Sequence, residues 1–455
     1  MKKYEIDMLN GNLFSRMIAF AFPLMLTGIL QLLFNAVDIA IIGRFAGDSS
    51  LAAVGATTSI VNLFVNVFLG LSVGTNYMVA TSYGAKNYEK IHRTVQTSVY
   101  MSLIMGIAVG ILGVVFSKSI LAMMNTPAEV IDKAAVYLRI YFVGMPALLV
   151  FNYAASVLRA VGDTTRPLIF LTIAGVVNLL LNIVFTVFLH MDVAGVALAT
   201  VISETLAMIF IIVFLTKSDA CYKFYPREVK IYKRELSEMI KIGIPSAVNG
   251  SLFSVSNMVI QSSINTFGAE VIAGSAVSAS VEGFIFTGMD SMYHTTLAFT
   301  GQNYGAKRFD RLLPVLYKAL IIVIFIGIGL GALYLAFDNV LFSIFTKSQA
   351  VIEAAKTRAW VIIPTYFMCG IMCVYVGSVR GYGYPVLPTF ISALGVLAIR
   401  IIWVYTVFAK YNDIRLLFLS WGISYVAVII AFIICHKIIH RRLIKNNPIT
   451  GAQMN

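Results

Sequence analysis

The sequence is dominated by apolar stretches of about twenty residues that follow one another along almost the whole chain, each long enough for a membrane-spanning helix. At a rise of roughly 1.5 Å per residue, such a stretch bridges a hydrocarbon core roughly 30 Å thick. Hydrophobic residues make up 59% of the chain and charged residues only 12%, about half the charged share of soluble domains. This pattern excludes a soluble globular protein and predicts a polytopic helical membrane protein.

Charged residues, Gly and Pro divide the apolar stretches into separate spans. The twelve predicted spans cover approximately residues 15–41, 51–78, 94–117, 134–158, 167–189, 193–215, 239–263, 270–298, 312–337, 355–379, 386–409 and 415–436. Most of the 34 Lys and Arg residues fall on the amino-terminal side of the membrane. The positive-inside rule therefore predicts a multi-pass protein of the cell inner (plasma) membrane with both termini in the cytoplasm.

The two halves of the chain repeat one another at an offset of about 221 residues. The segment from Tyr83 to Lys86 recurs as Tyr304 to Lys307, and Pro23 recurs as Pro245. An even number of spans in each half gives both copies the same orientation, as in parallel-repeat transporters. We therefore predict an all-α membrane protein with twelve transmembrane helices, in two six-helix bundles around a central cleft. The predicted domains are an N-terminal lobe 1–216, a cytoplasmic linker 217–241 and a C-terminal lobe 242–455.

Polar residues inside the first predicted span form one stripe that ends in a carboxylate. Thr27, Gln31, Asn35 and Asp38 are spaced by four, four and three residues and share one helix face. An ionisable side chain within a span is costly, so it indicates a functional site facing a hydrated cavity. The alternative is a helix-packing stripe in which Asp38 marks the outer end of the helix.

Polar pairs one helical turn apart accompany this stripe in the same half. Asn178 and Asn182 lie on the fifth span, and Thr200 and Glu204 lie on the sixth. Carboxylate, amide and hydroxyl oxygens suit a hard cation. Hydrogen bonds between helices explain such pairs equally well.

The second half carries its own deep charges but no acid at the repeat position of Asp38. Glu282 lies on the eighth span and Arg400 on the eleventh. We predict that these two side chains form a mutually neutralising pair, and the broken symmetry favours a coupling site in the N-terminal lobe.

The sequence favours a protein that is not an enzyme, since it has no P-loop, no His-Glu-x-x-His and no Cys-x-x-Cys. The formal charge of +13 marks a membrane side rather than a nucleic-acid partner.

Several segments resemble the MATE (multidrug and toxic compound extrusion) family, in its bacterial branch. They are Asn35 to Arg44, Leu51 to Gly55, Leu158 to Thr164 with Pro167, Asn178 to Asn182, Gly195 to Thr200 and Gly301 to Lys307. The resemblance covers essentially the whole chain. It implies a twelve-helix antiporter that exports organic, often cationic, compounds by alternating access, using a proton or sodium gradient.

Carried over residue by residue, the resemblance assigns Asp38 as the cation-coupling acid, with Asn178, Asn182 and Thr200 grouped around it as a site for a proton or Na⁺. Asn182 departs from the pattern, because some relatives carry Asp there. The resemblance and the polar stripe of the first span together leave coupling or substrate roles for further polar residues, which are Glu204, Glu282, Arg400, Gln31 and Asn35. We expect a monomer with no cofactor beyond its coupling ion, whose partners are a small organic substrate and membrane lipid. A flippase for a lipid-linked saccharide or other amphipathic lipid is the alternative function.

Overall fold

A computed structural model of the protein describes residues 4–124 and 126–446, and within these ranges it is helical without a β-strand. The long helices are α1 Leu13–Phe45, α2 Asp48–Gly84, α3 Tyr88–Met123, α4 in two segments (Ala128–Val143 and Met145–Val161), α5 Thr165–Phe188, α6 Asp192–Lys217, α7 Lys233–Ile264, α8 Ala269–Gly305, α9 Phe309–Ala336, α10 Gln349–Gly381, α11 Val386–Tyr411 and α12 Ile414–Asn446.

The length and composition of these helices match a membrane protein. Within the described residues, ten helices are long and apolar enough to cross a membrane singly, and the two segments of α4 make an eleventh. The remaining long helix, α7, has 32 residues but is interrupted by polar side chains such as Asn249, Asn257 and Gln261. The predicted all-α, twelve-helix membrane architecture is confirmed.

Helix α4 bends by 46° between its two segments at Gly144. Pro146, in the first turn of the second segment, has no N–H to donate, so the hydrogen-bond ladder cannot run through the bend unbroken. At the repeat position, Pro364 lies inside the unbroken helix α10. Proline at this repeat position therefore lies at a break between two helical segments in the first half and inside a continuous helix in the second half.

Close approach of α3 to α4 depends on glycine. A Cβ added to Gly106 would lie 2.5 Å from the Cα of Pro146, and one added to Gly110 would lie 2.8 Å from the carbonyl oxygen of Phe142. Both distances are shorter than carbon atoms tolerate. The Gly106-x-x-x-Gly110 spacing thus lets α3 pack directly on the backbone at the bend of α4.

The internal repeat is visible in the turns that follow α2 and α8. Lys86 and Lys307 both adopt left-handed backbone conformations, with φ of 54° and 57°. The Lys86 N–H donates to the Tyr83 carbonyl and the Lys307 N–H to the Tyr304 carbonyl, each at 3.1 Å. The repeated Tyr-Gly-Ala-Lys sequence therefore forms the same turn twice.

The helices pack as two compact units, and α1 contributes to both. The first unit contains Leu26–Gly243 with the described residues before Asp7, and the second contains Asp7–Met25 with the chain from Ile244 onward. The change of unit within α1 comes two residues after Pro23, which lies inside the helix. Pro23 removes one hydrogen bond of α1 close to this point.

The segment between α6 and α7, together with the first turns of α7, packs on the start of α3 in the first unit. Lys90 Nζ contacts Glu238 Oε2 at 2.6 Å, and His92 Nε2 lies 3.1 Å from Glu228 Oε2. The hydrogen bond from the Tyr232 hydroxyl and the neighbouring His92 hold the pKa of Glu228 below its usual range. The connection between the halves is thus held by polar contacts along its length.

Candidate cation-coupling site

Asp38 lies seven residues before the end of α1, on the part of the helix that belongs to the first unit. Its side chain is partly buried, whereas Gln31 and Asn35, earlier in the same stripe, are exposed. Neither of these two residues forms a hydrogen bond to the Asp38 carboxylate in the described part of the chain. The stripe therefore contributes its carboxylate, and not its amides, to the cluster described next.

The structure brings Asn178 and Asn182 from α5 and Thr200 from α6 to Asp38. Asn182 Nδ2 donates to Asp38 Oδ1 at 2.5 Å, and Asn182 lies 3.1 Å from the Asn178 amide. The other end of the Asn178 amide lies 3.5 Å from Thr200 Oγ1. The polar pairs predicted from one-turn spacing thus meet as one continuous chain of contacts from α1 to α6.

The amide of Asn178 contacts both Asp38 and Asn182. One of its terminal atoms lies 3.1 Å from Asp38 Oδ1 and 3.1 Å from Asn182 Nδ2. Nitrogen at that position donates to the Asp38 carboxylate, whereas oxygen at that position accepts from Asn182. Each orientation of the amide therefore satisfies one of these two contacts.

Two buried oxygen atoms next to this cluster have no hydrogen-bond partner among the described residues. They are Asn182 Oδ1 and, one turn later, Thr186 Oγ1. Thr186 lies in a π-helical turn, Val184–Phe188, and such turns are frequent at functional sites. Asn182 presents its amide nitrogen to Asp38, so its oxygen lies on the other side of the amide. Oxygen atoms are the ligands that a hard cation prefers, and the Asp38 carboxylate also accepts a proton.

Thr186 was missed in the sequence analysis, although the signal was present. Asn178, Asn182 and Thr186 are spaced by four and four residues and therefore share a face of α5. The spacing continues the stripe by one residue beyond the pair that was identified.

Glu204 lies one turn beyond Thr200 on α6 and is partly exposed. It forms no hydrogen bond or ion pair with another described residue. Tyr137, on the first segment of α4, interacts electrostatically with both Asp38 and Glu204. Tyr137 was not identified from the sequence, because a tyrosine in an amphipathic helix gives no distinctive pattern.

The predicted pair of Glu282 and Arg400 is wrong. Glu282 on α8 pairs instead with Arg358 on α10, whose Nε and Nη2 each donate to one carboxylate oxygen at 2.8 Å. The Ser278 hydroxyl donates to the same carboxylate at 3.0 Å. Arg358 lies only three residues after the start of the tenth predicted span, near its outer end. For this reason the sequence did not identify it as the partner of Glu282.

Arg400 is buried among neutral groups of the second unit. Its Nε donates to Ser424 Oγ at 3.2 Å, and its Nη1 donates to Ser256 and Asn257 at 3.3 Å. The guanidinium carbon lies 4.8 Å from the centre of the Trp421 ring, which Arg358 approaches from 5.4 Å. Arg400 is therefore stabilised by hydroxyl, amide and aromatic groups rather than by a carboxylate.

Known proteins resemble this chain in both of its halves. The MatE family model matches twice, at residues 23–184 and 245–406, one match in each half. The probable multidrug resistance protein YoeA of Bacillus subtilis is 27% identical over 392 residues, which are 85% of each chain. The probable multidrug resistance protein NorM of Thermotoga maritima is 23% identical over 413 residues, 88% of this chain and 87% of that protein.

Solved structures share the fold. A structure described as the outward-facing conformation of a multidrug resistance MATE family transporter of the MOP superfamily superposes with a TM-score of 0.90. It is 21% identical and covers 97% of this chain and 99% of that chain.

Proposed function

Because the chain belongs to the MATE family of transporters, we propose that it is a secondary active antiporter that exports organic, cationic or amphipathic compounds in exchange for H⁺ or Na⁺. The names of its relatives as multidrug resistance proteins support the export of drugs. We place the protein in the cell inner membrane as a monomer, with both termini in the cytoplasm. The terminal residues 1–3 and 447–455 lie outside the described residues.

The observation that carries the proposal is the cluster of Asp38, Asn178, Asn182 and Thr200. One partly buried carboxylate contacts two neutral amides, those of Asn178 and Asn182. A proton or a sodium ion neutralises Asp38 and changes which hydrogen bonds Asn178 and Asn182 make. Binding and release of the ion are thereby translated into a rearrangement between α1, α5 and α6.

Coupling requires that the ion and the substrate prefer different conformations of the protein. Helix α1 is suited to transmit this preference, because Asp38 lies on its part in the first unit while its first part, through Met25, packs in the second. Pro23 weakens the helix next to that division. A change of α1 at Asp38 is thus passed along one helix to both units.

The flippase alternative is less well supported. The pyrophosphate group of a lipid-linked saccharide favours a site with concentrated positive charge. In this structure, however, Glu282 neutralises the charge of Arg358. Of the two arginines at the Trp421 ring, only Arg400 then contributes net charge.

The test is transport by the purified chain in proteoliposomes with sodium and proton gradients imposed independently. We expect Asp38→Asn to fold normally and to lose about 5- to 150-fold of gradient-driven export, the range of typical coupling free energies. Thr200→Ala should lose less, because it removes a neutral ligand.

The matched control is Asp338→Asn. Asp338 is a buried acid of the second unit whose carboxylate accepts a hydrogen bond from Trp360 at 3.1 Å. We expect this variant to keep gradient-driven export per folded molecule even where its yield falls. Wild-type coupled export by Asp38→Asn would overturn the proposed site, and export by the wild-type chain that responds to neither gradient would overturn antiport itself.

A further inference from the structure

A groove runs between α1 and α9 within the second unit. Its volume is about 650 Å³, within the range of ligand pockets of roughly 300–1,000 Å³. The α1 wall includes Ile18 and Phe22, and the α9 wall includes Phe325 and Leu333. Of the described residues that line the groove, only Ser291 is polar. An apolar ligand fits this composition.

The apolar walls of the groove carry exposed side chains. Phe22 is 53% exposed and Phe325 is 73% exposed, although both lie inside membrane helices. Apolar surface of this kind at membrane depth is suited to contact with hydrocarbon. The groove is therefore open to lipid acyl chains along its length.

Gly329 creates part of the open space. A Cβ added to Gly329 would meet no atom within 4 Å, whereas one added to Gly327, two residues earlier, would lie 2.8 Å from Phe367. Gly327 is thus needed for packing of α9 on α10, but Gly329 is not. Its missing side chain leaves room in the groove wall instead.

Positive charge lies at the end of the groove where α9 begins. Lys318 precedes the lining residue Ile322 by four positions, which places it on the groove face of α9, about 6 Å lower along the helix axis. Arg311 precedes Lys318 by seven residues and lies on the same side of the chain as it enters α9. Lys318 has no ion pair within 4 Å among the described residues.

Arg311 contacts the segment that directly precedes α1. Its Nη2 donates to the Gly11 carbonyl at 3.3 Å, and its Nε is buried without a partner in the described part of the chain. The nearby Asp310 is engaged by Arg308, through two contacts of 3.1 Å. The end of the chain segment below the groove therefore carries the net positive charge of Lys318 and Arg311.

We propose that the groove between α1 and α9 binds an acyl chain of an anionic glycerophospholipid, whose phosphate is held at Lys318 and Arg311. The apolar walls account for the acyl chain, and the charge at one end accounts for the headgroup. A zwitterionic lipid would fill the same walls but gain less from the two cations. The bound lipid packs against the first part of α1, close to Pro23 and to the change of unit at Met25.

Native mass spectrometry of the full-length chain in detergent, titrated with dioleoyl phosphatidylglycerol or dioleoyl phosphatidylcholine, tests the proposal. We expect one tightly retained phosphatidylglycerol per chain. Gly329→Leu fills the groove without a clash at its Cβ and should weaken that retention about tenfold. The matched control is Gly55→Leu on α2, because a Cβ at Gly55 also meets nothing within 4 Å.

A second pair of variants tests the headgroup. Lys318→Gln should lower the preference for phosphatidylglycerol over phosphatidylcholine about fivefold, as expected for one lysine at a membrane surface. Lys217→Gln, an exposed lysine in the last turn of α6, should leave the preference unchanged.

Retention of phosphatidylglycerol by Gly329→Leu as in the wild type would overturn the proposal. Equal retention of the two lipids by the wild-type chain would overturn the assigned headgroup. Loss of drug export in Gly329→Leu with unchanged lipid retention would reassign the groove to a transported substrate. These readouts do not depend on Asp38, so they stand apart from the test of antiport.

Discussion

Replacing Glu282 by Gln removes the carboxylate that Arg358 binds through two nitrogens, both at 2.8 Å. The two side chains are only 7% and 9% exposed, so the guanidinium would remain charged away from water. Arg400 lies at the same Trp421 ring, which leaves two cations without that carboxylate. Breaking a buried ion pair on one side costs about 3–5 kcal/mol, and we expect this loss in the free energy of unfolding.

A double-mutant cycle with Arg358→Met separates the pair from its surroundings. The double variant lacks both charges and should be less destabilised than the sum of the two single variants, with a coupling energy of about 2–3 kcal/mol. The assay is denaturant unfolding in mixed micelles, followed by tryptophan fluorescence. The control pair is Lys118 and Asp132, which are 2.7 Å apart but 57% and 77% exposed. Their coupling should be much smaller than that of the buried pair, because solvent screens both charges.

Additivity of Glu282→Gln and Arg358→Met within about 0.5 kcal/mol would refute this reasoning. A larger coupling between Glu282 and Arg400 than between Glu282 and Arg358 would refute it as well. That result would support the pair of Glu282 and Arg400 that is expected from the sequence.

Three further outcomes are expected. Gly106→Ala should lower the free energy of unfolding by about 1–3 kcal/mol, because its Cβ would lie 2.5 Å from the Cα of Pro146, while Gly55→Ala should be neutral in the same unfolding assay. Tyr137→Phe should leave folding intact but shift the ion concentration needed for half-maximal export in proteoliposomes, since Tyr137 interacts electrostatically with both Asp38 and Glu204. A cysteine at Lys230 should resist an impermeant thiol reagent in intact cells and react after permeabilisation, and labelling in intact cells would reverse the proposed topology.

The twelve helices and the repeat could be predicted from the sequence alone because each depends on local chemistry. A run of apolar residues long enough to span the bilayer has no stable alternative there, since a helix satisfies its own backbone hydrogen bonds. The turn from Tyr83 to Lys86 and its copy from Tyr304 to Lys307 adopt one conformation because the same residues make the same local bonds.

The grouping of Asp38 with Asn178, Asn182 and Thr200 was partly within reach of the sequence. One-turn spacing indicates which side chains share a helix face, and the resemblance to a family indicates which faces belong together. Neither source gives the orientation of the Asn178 amide or the unpaired oxygen of Thr186. These follow from contacts between helices that are distant in the chain.

The partner of Glu282 was decided by tertiary structure alone. Depth in the membrane identified Arg400 as the obvious cation, but ion pairing depends on how each helix is rotated and which helix lies beside it. Packing of α8 against α10 presents Arg358 to Glu282, whereas Arg400 on α11 faces Ser424, Ser256 and Asn257. The sequence by itself determined that buried charges occur in this half of the chain. Which of them neutralise one another was set by helix packing, because the energy of a buried ion pair depends on contact distances that a linear sequence does not contain.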